Sequence, residues 1–222
     1  KFNYYVGANI STDKNEVIKI STGGDNMTIS GYSAHGQGGR GINMFQEGHA
    51  MSYFNLIETD GIFRSAEEIE NYRTADGKLI QPGAQVGDVR YKDWNGDGYI
   101  DNYDQRPIGR NAYPELVYGI NLGLSWKGVD FSMFWQGGAL SDFQIGAFDM
   151  DAFQEGATNL NTWEYFGDRW HSADYTDPNS EWIPGYFPAV RDFTSVTINR
   201  LSSNFWMWNG SYIRLKNVEL GY

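Results

Sequence analysis

Twelve residues, Asp93 to Asp104 (DWNGDGYIDNYD), place oxygen donors at the spacing of a Ca²⁺ loop. Asp93, Asn95 and Asp97 stand at the first, third and fifth positions, and the Tyr99 carbonyl serves the seventh. Asp101 falls at the ninth and Asp104 closes the loop at the twelfth, with Gly98 at the sharp turn and Ile100 able to anchor the loop on a core. Four carboxylates this close repel one another unless a cation neutralises them. The closing residue is an Asp rather than the usual bidentate Glu, so it binds with one oxygen or through water. Flanking helices are missing, because GDVRYKDW before the loop reads as strand. The alternative is an Asp/Asn/Gly turn whose side chains cap their own backbone. Either way the stretch braces a loop and does no bond-making chemistry.

The elements that must position this loop are strands. The 222 residues suffice for one large all-β domain or two small ones. Aromatic residues make up 16%, and 27 glycines against 6 prolines favour strands with many turns. With no cysteine there is neither a disulfide nor a thiolate metal site. A net charge of −11 leaves no basic stripe to track phosphates, which argues against a nucleic-acid partner. No apolar run is long enough for a transmembrane helix, which leaves barrel strands open.

From Leu116 to Trp126 the even positions are large and apolar and the odd ones mostly small or polar. A tight turn at Lys127-Gly128 follows. Val129, Phe131, Met133 and Trp135 then alternate with Asp130, Ser132 and Gln136, with Phe134 the exception. This predicts a β-hairpin. Phe2, Tyr4, Val6, Ala8 and Ile10 alternate near the N-terminus, and a turn at Thr12–Asn15 leads to an expected strand EVIKIS. A last strand, about Phe205–Tyr222, alternates less cleanly, as a bulge would make it do. Both ends read as mid-strand, so the expectation is a segment of something larger.

Two long connections, about 22–115 and 138–204, separate these strands. A short helix is expected at Ser65–Arg73, with Ser65 as N-cap and Glu68 completing a capping box. Tight turns at one end and long loops at the other is the asymmetry of outer-membrane barrels. Leu116–Trp126 has the roughly 9–11 residues of a spanning strand. A sandwich strand packed on a second sheet has the same period.

Other candidate sites are weaker. GQGGRG at 36–41 lacks a following Lys-Ser/Thr and reads as a flexible loop, and His35, His49 and His171 are scattered. Nothing singles out a catalytic carboxylate pair. In the second connection Trp163, Trp170 and Trp182 are candidate sugar-stacking residues; the competing expectation is that they and Tyr165, Tyr175, Tyr186 and Phe187 pack a small loop core. Trp206 and Trp208 are expected at a membrane boundary.

Four segments together resemble the C-terminal part of the SusC/RagA family of TonB-dependent outer-membrane transporters. These are YFNLIETDGIFRSAEEI, VGDVRYKDWNGDGYIDNYDQRPIG, PELVYGINLGLSWKGVDFSMFWQG and NGSYIRLKNVELGY, in the family's order. They cover most of residues 50–140 and 204–222. The resemblance implies an all-β fold: a segment of an antiparallel transmembrane barrel of about 22 strands with long extracellular loops. It implies a SusD-like lipoprotein lid over the barrel, an oligosaccharide or peptide substrate held between them, and energy delivered by TonB through a plug. Residues 1–222 would be a partial C-terminal barrel domain without that plug, supplying wall and outer loops in the outer membrane, not an enzyme. The rivals are a soluble secreted carbohydrate-binding β-domain with a structural Ca²⁺ site and, more remotely, a glycoside hydrolase fragment. An uninterrupted lipid-facing band across neighbouring strands distinguishes the first reading; a second sheet packed on those faces distinguishes the soluble one.

Overall fold

The computed structural model describes residues 1–20, 26–28, 43–145, 150, 162–191 and 196–222. Among the described residues the strands are β1 (Phe2–Thr12), β2 (Asn26–Thr28), β3 (Asn43–Gln46), β4 (Tyr53–Ile57), β5 (Thr59–Ile62), β6 (Val89–Tyr91) and β7 (Gln105–Pro107). They continue as β8 (Leu116–Trp126), β9 (Val129–Ala139), β10 (Asp142–Gln144), β11 (His171–Ser172), β12 (Trp182–Ile183), β13 (Met207–Asn209) and β14 (Tyr212–Gly221). One short helix, α1 (Ala66–Asn71), joins them.

The four long strands form one antiparallel sheet in the order β1-β8-β9-β14. β8 and β9 meet at the expected two-residue turn, with Trp126 paired to Val129. Lys127 and Gly128 both have positive φ, 51° and 88°, the hand that matches strand twist in a two-residue hairpin. The register lines up the apolar alternation of all four strands. Val6, Leu122, Met133 and Val218 form one row, and Tyr4, Leu124, Phe131 and Leu220 the next. On the other face Gly7, Asn121, Phe134 and Asn217 share a row, as do Tyr5, Gly123, Ser132 and Glu219.

β14 keeps this order through a bulge. Its register against β9 shifts between Leu215 and Asn217, so Lys216 is the additional residue. Ile213 and Leu215 enter the apolar rows before it, and Val218 and Leu220 after it. The band is therefore continuous across four strands, and it stays open. Leu124 is 45% exposed, Leu215 47% and Tyr4 71%. β14 is exposed at every position. In the four long strands only the glycines Gly119, Gly123, Gly137 and Gly138 are buried.

The hydrophobic core lies instead in the two long connections, which pack into one body. One cluster gathers Met150, Phe166, Phe187 and Trp206. A second gathers Ile57, Val89 and Tyr91, and Phe205 packs against both. Fully burying each such side chain contributes about 1.5–3 kcal/mol. The connections are not irregular: β2-β3-β4-β7 form a small sheet, and β5–β6, β10–β13 and β11–β12 form pairs.

Buried polar groups tie the first connection to the second. The Val89 N–H donates to Asn199 Oδ1 at 2.9 Å, and Asn199 Nδ2 donates to Asp88 Oδ1 at 2.9 Å. Within the first connection the Gln81 side chain donates to the Val89 carbonyl and accepts from the Tyr91 N–H. Thr59 donates its N–H and its hydroxyl to Asn204 Oδ1, both at 2.8 Å. The bonds of Asn199 and Gln81 satisfy buried groups, which is why this body closes around polar as well as apolar side chains.

Four expectations need correction. EVIKIS forms no strand over its described residues: the Val17 N–H bonds to the His49 carbonyl, and the Val17 carbonyl accepts from Gly48, so another segment has taken its backbone. α1 is shorter than expected; the Ser65 hydroxyl accepts from the Glu68 N–H at 3.2 Å, but Glu68 reaches back to the Arg64 N–H rather than to that of Ser65. The final strand is two, because strand pairing is interrupted at Gly210–Ser211 between β13 and β14. Trp206 is fully buried, not at a boundary, and its indole N–H donates to the Asn199 carbonyl at 2.8 Å.

Candidate calcium loop and aromatic sites

The Asp93–Asp104 loop begins two residues after β6 and ends where β7 starts, so two backbone anchors fix its ends. Asp93 accepts the N–H groups of Gly96 at 2.7 Å and Gly98 at 2.8 Å, one on each carboxylate oxygen. Asn95 Oδ1 accepts from the Asp97 N–H at 3.0 Å, and Asp97 from the Tyr99 N–H at 2.9 Å. Gly98 has φ +82°, and a side chain there would press on the Thr74 methyl group, so glycine meets two demands at once. Asp101 caps a single 3₁₀ turn, Asn102–Asp104, reciprocally with Asp104.

Asp104 is the centre of the loop. It has no exposed surface, and its carboxylate accepts from Trp94 at 2.7 Å, from Asn95 at 3.4 Å and from Asp101 at 2.9 Å. Burial pushes its carboxyl above the usual carboxylate range, these three N–H groups only partly offset that, and the nearby Asp93 charge adds to the rise. The side chains thus cap the loop's own backbone, as an Asx-rich turn does. Among the described residues no three His, Asp or Glu side chains converge closely enough to hold an ion in this conformation.

Cations outside the loop grip its aromatic residues, a feature the spacing did not announce. The Arg106 guanidinium lies 3.9 Å from the Trp94 ring centroid, and Lys78 Nζ lies 2.9 Å from that of Tyr99. Glu58, just after β4, accepts the Trp94 indole N–H at 3.0 Å and pairs with Lys92 at 2.6 Å and with Arg106. A signal existed in the charged residues flanking the loop, but not in which partner each would choose.

The three candidate tryptophans do not share one platform. Trp170 and Trp182 both lie against Gly87 beside Ala189, half-buried. Trp163, 51% exposed, stacks on Tyr165 with ring planes 7° apart. Tyr165 in turn packs on Phe166, Phe187 and Trp208, so much of this aromatic set builds the core. Tyr175 and Tyr186 are exposed. His49 sits against Tyr53, and His171 Nδ1 lies 2.9 Å from the Arg169 carbonyl; His35 and the 36–41 loop fall outside the described residues.

No family model matches the chain. Over its whole length it is 27% identical to TonB-dependent receptor P3 and 28% identical to TonB-dependent receptor P26, both of Formosa agariphila. It spans 20% of the length of each, about a fifth. Among solved structures it is similar to a chain of the RagAB peptide transporter, with a TM-score of 0.59 at 17% identity. It is likewise similar to chains of the RagAB peptide importer in the closed-closed and open-open states, with TM-scores of 0.61 and 0.60 at 15% and 16% identity. Each match covers 99% of this chain and 20% of the other. At such identities the structural likeness speaks for the fold alone, that of an antiparallel barrel-wall segment with its connections. The resemblance to the SusC/RagA family read from the sequence stands: the chain is similar, from end to end, to a segment of TonB-dependent receptors.

Proposed function

We propose that this chain forms wall and outer loops of a TonB-dependent outer-membrane importer. The observation that carries the reading is the band Val6–Leu122–Met133–Val218 with its neighbouring rows, continuous over four strands and left uncovered. Apolar rows of this extent cost free energy in water and are stabilised against lipid. The strands, 10 or 11 residues each, have the roughly 9–11 residues needed to cross a bilayer at a tilt. The opposite face, with Asn121, Gln136, Arg214 and Glu219, lines the lumen. The packed body made by the described residues of the two long connections stands at the cell surface, where a SusD-like lipoprotein docks as a lid. An oligosaccharide or a peptide is the cargo, and TonB acts through a plug supplied elsewhere in the protein. Such import needs no bond-making residues.

Ca²⁺ in the Asp93–Asp104 loop is part of this proposal. The donors are all oxygens, as a hard cation prefers, and a carboxylate oxygen that accepts one N–H keeps further acceptor capacity. Asp93, Asn95, Asp97, Asp101 and Asp104, with the Tyr99 carbonyl, would hold the ion once the side chains converge on it, and the ion would stiffen the loop. Chelation is expected to raise protease cleavage within the loop, and unchanged cleavage would remove this role.

The test of the importer reading is to tag the full-length native protein, extract it gently from cell membranes and identify what accompanies it by mass spectrometry. Recovery from the outer membrane with a SusD-type lipoprotein is the expected result. Recovery as a lone soluble protein would sink the reading and favour the carbohydrate-binding domain.

A further inference from the structure

The tripeptide Trp-Asn-Gly occurs twice, at residues 94–96 in the acidic loop and at 208–210, where β13 ends. In an Asn-Gly pair the glycine nitrogen can attack the asparagine side-chain carbonyl carbon, since glycine bends freely and carries no Cβ to hinder the approach. A new C–N bond closes a five-membered succinimide, and the side-chain nitrogen leaves as ammonia, taking up the proton lost from the glycine N–H. Water then opens the ring to aspartate or to isoaspartate.

The fold sets the two copies differently. The Gly96 N–H donates to Asp93 Oδ1 at 2.7 Å, so a carboxylate draws on the proton that the attacking nitrogen must lose. Asn95 Oδ1 accepts from the Asp97 N–H at 3.0 Å, a donor placed where negative charge develops as the carbonyl carbon becomes tetrahedral. The departing nitrogen, Asn95 Nδ2, donates to Asp97 Oδ2 at 2.8 Å. Nothing lies within 4 Å of where a Gly96 side chain would begin, which leaves the exposed backbone room to close the ring. Asn209 Oδ1 is polarised in the same way by the Ser211 N–H at 2.8 Å. There, however, the Gly210 N–H is bound to the Ser141 backbone carbonyl at 2.8 Å, and a Gly210 Cβ would stand 2.9 Å from Ser141 Oγ. Pairing with Asp142 also holds Asn209 in its strand.

From this contrast we infer that Asn95-Gly96 is a self-modification site, where the folded loop promotes conversion of Asn95 to aspartate or isoaspartate, and that the fold protects Asn209-Gly210. Aspartate adds a carboxylate to those of Asp93, Asp97, Asp101 and Asp104, and isoaspartate reroutes the backbone through the side chain and shifts the donor spacing. The inference depends on neither the importer nor the calcium reading.

The test is to incubate the full-length receptor in mildly alkaline buffer with EDTA, folded and in guanidinium chloride, and to follow both Asn-Gly pairs by peptide mapping and mass spectrometry. Folded Asn95 is expected to convert roughly tenfold faster than folded Asn209 or more, and the preference to collapse in guanidinium chloride. Asp93→Asn, which removes the carboxylate and keeps the length of the loop, is expected to slow Asn95 severalfold in the folded protein and to leave its rate in denaturant unchanged. Conversion of folded Asn209 as fast as Asn95, a preference that persists in denaturant, or a folded-state rate untouched by Asp93→Asn would each overturn the inference.

Discussion

The long-stranded sheet and the body built from its connections solve the burial problem in opposite ways. In the sheet the apolar alternation lines up across the strands and β8 and β9 are each paired on both sides, yet only glycines are buried. In the connections the pattern is irregular, yet Trp206, Tyr91, Phe63, Leu56, Ile57 and Val89 lose all or nearly all contact with solvent. Regular periodicity therefore marks the region that borrows its apolar surroundings from outside the chain. The aperiodic region supplies its own. Apolar content alone does not separate the two, since both are rich in aromatics.

This contrast can be broken most severely at Trp206. Trp206→Ala is expected to cost about 3–5 kcal/mol, and hydrogen exchange should show lost protection around Phe166 and Phe187, which pack with it, while β8 and β9 keep theirs. Equal loss in both regions would mean that they fold as one unit. In the full-length receptor, Leu122→Arg at the middle of the apolar band should cost about 2–4 kcal/mol and reduce recovery from the outer membrane. Asn121→Arg on the other face should leave recovery unchanged; equal effects would end the distinction between faces.

A smaller effect is expected at the hairpin turn, where Gly128→Ala places a side chain at φ 88° and should cost about 1–2 kcal/mol. Exchange should then rise near Trp126 and Val129 and leave the packed body unchanged. The smallest effect is a pH slope. Burial raises the Asp88 carboxyl above the usual range, against the opposing bonds from Gln85 and Asn199 and the charge of Arg191. Between the ordinary Asp value of about 4 and its raised folded value, the folded state binds more of this proton than the unfolded one. Its contribution to stability is thus full below that ordinary value and is lost as pH rises through the folded value. Thermal unfolding of Asp88→Asn should lack this component, and an identical slope in both proteins would remove Asp88 as its source.

The hairpin was legible because both of its signals are local: a period of two, and a Lys-Gly turn that accepts positive φ. The bulge was legible as a loss of alternation, and the register showed that Lys216 caused it. EVIKIS misled because its alternation says nothing of which backbone it will meet, and residues 46–49 offered partners first. The loop spacing from Asp93 to Asp104 was plain, but not the grip of Glu58, Arg106 and Lys78 on its aromatic rings. Asn199 carried no signal at all, since its role depends on Asp88 and Val89, over a hundred residues earlier.

The additional residue in β14 has a consequence for how changes accumulate in this strand. A strict alternation has two phases, and inserting one residue exchanges them. Lys216 makes β14 carry both, odd residues facing the band before it and even residues after it. Deleting Lys216 would merge the two phases into one unbroken alternation, with Ile213, Leu215, Val218 and Leu220 still on the band and Arg214, Asn217 and Glu219 still opposite it. Deleting any other residue of β14 would exchange the faces of the residues between it and Lys216, so this strand loses a residue most readily at its bulge.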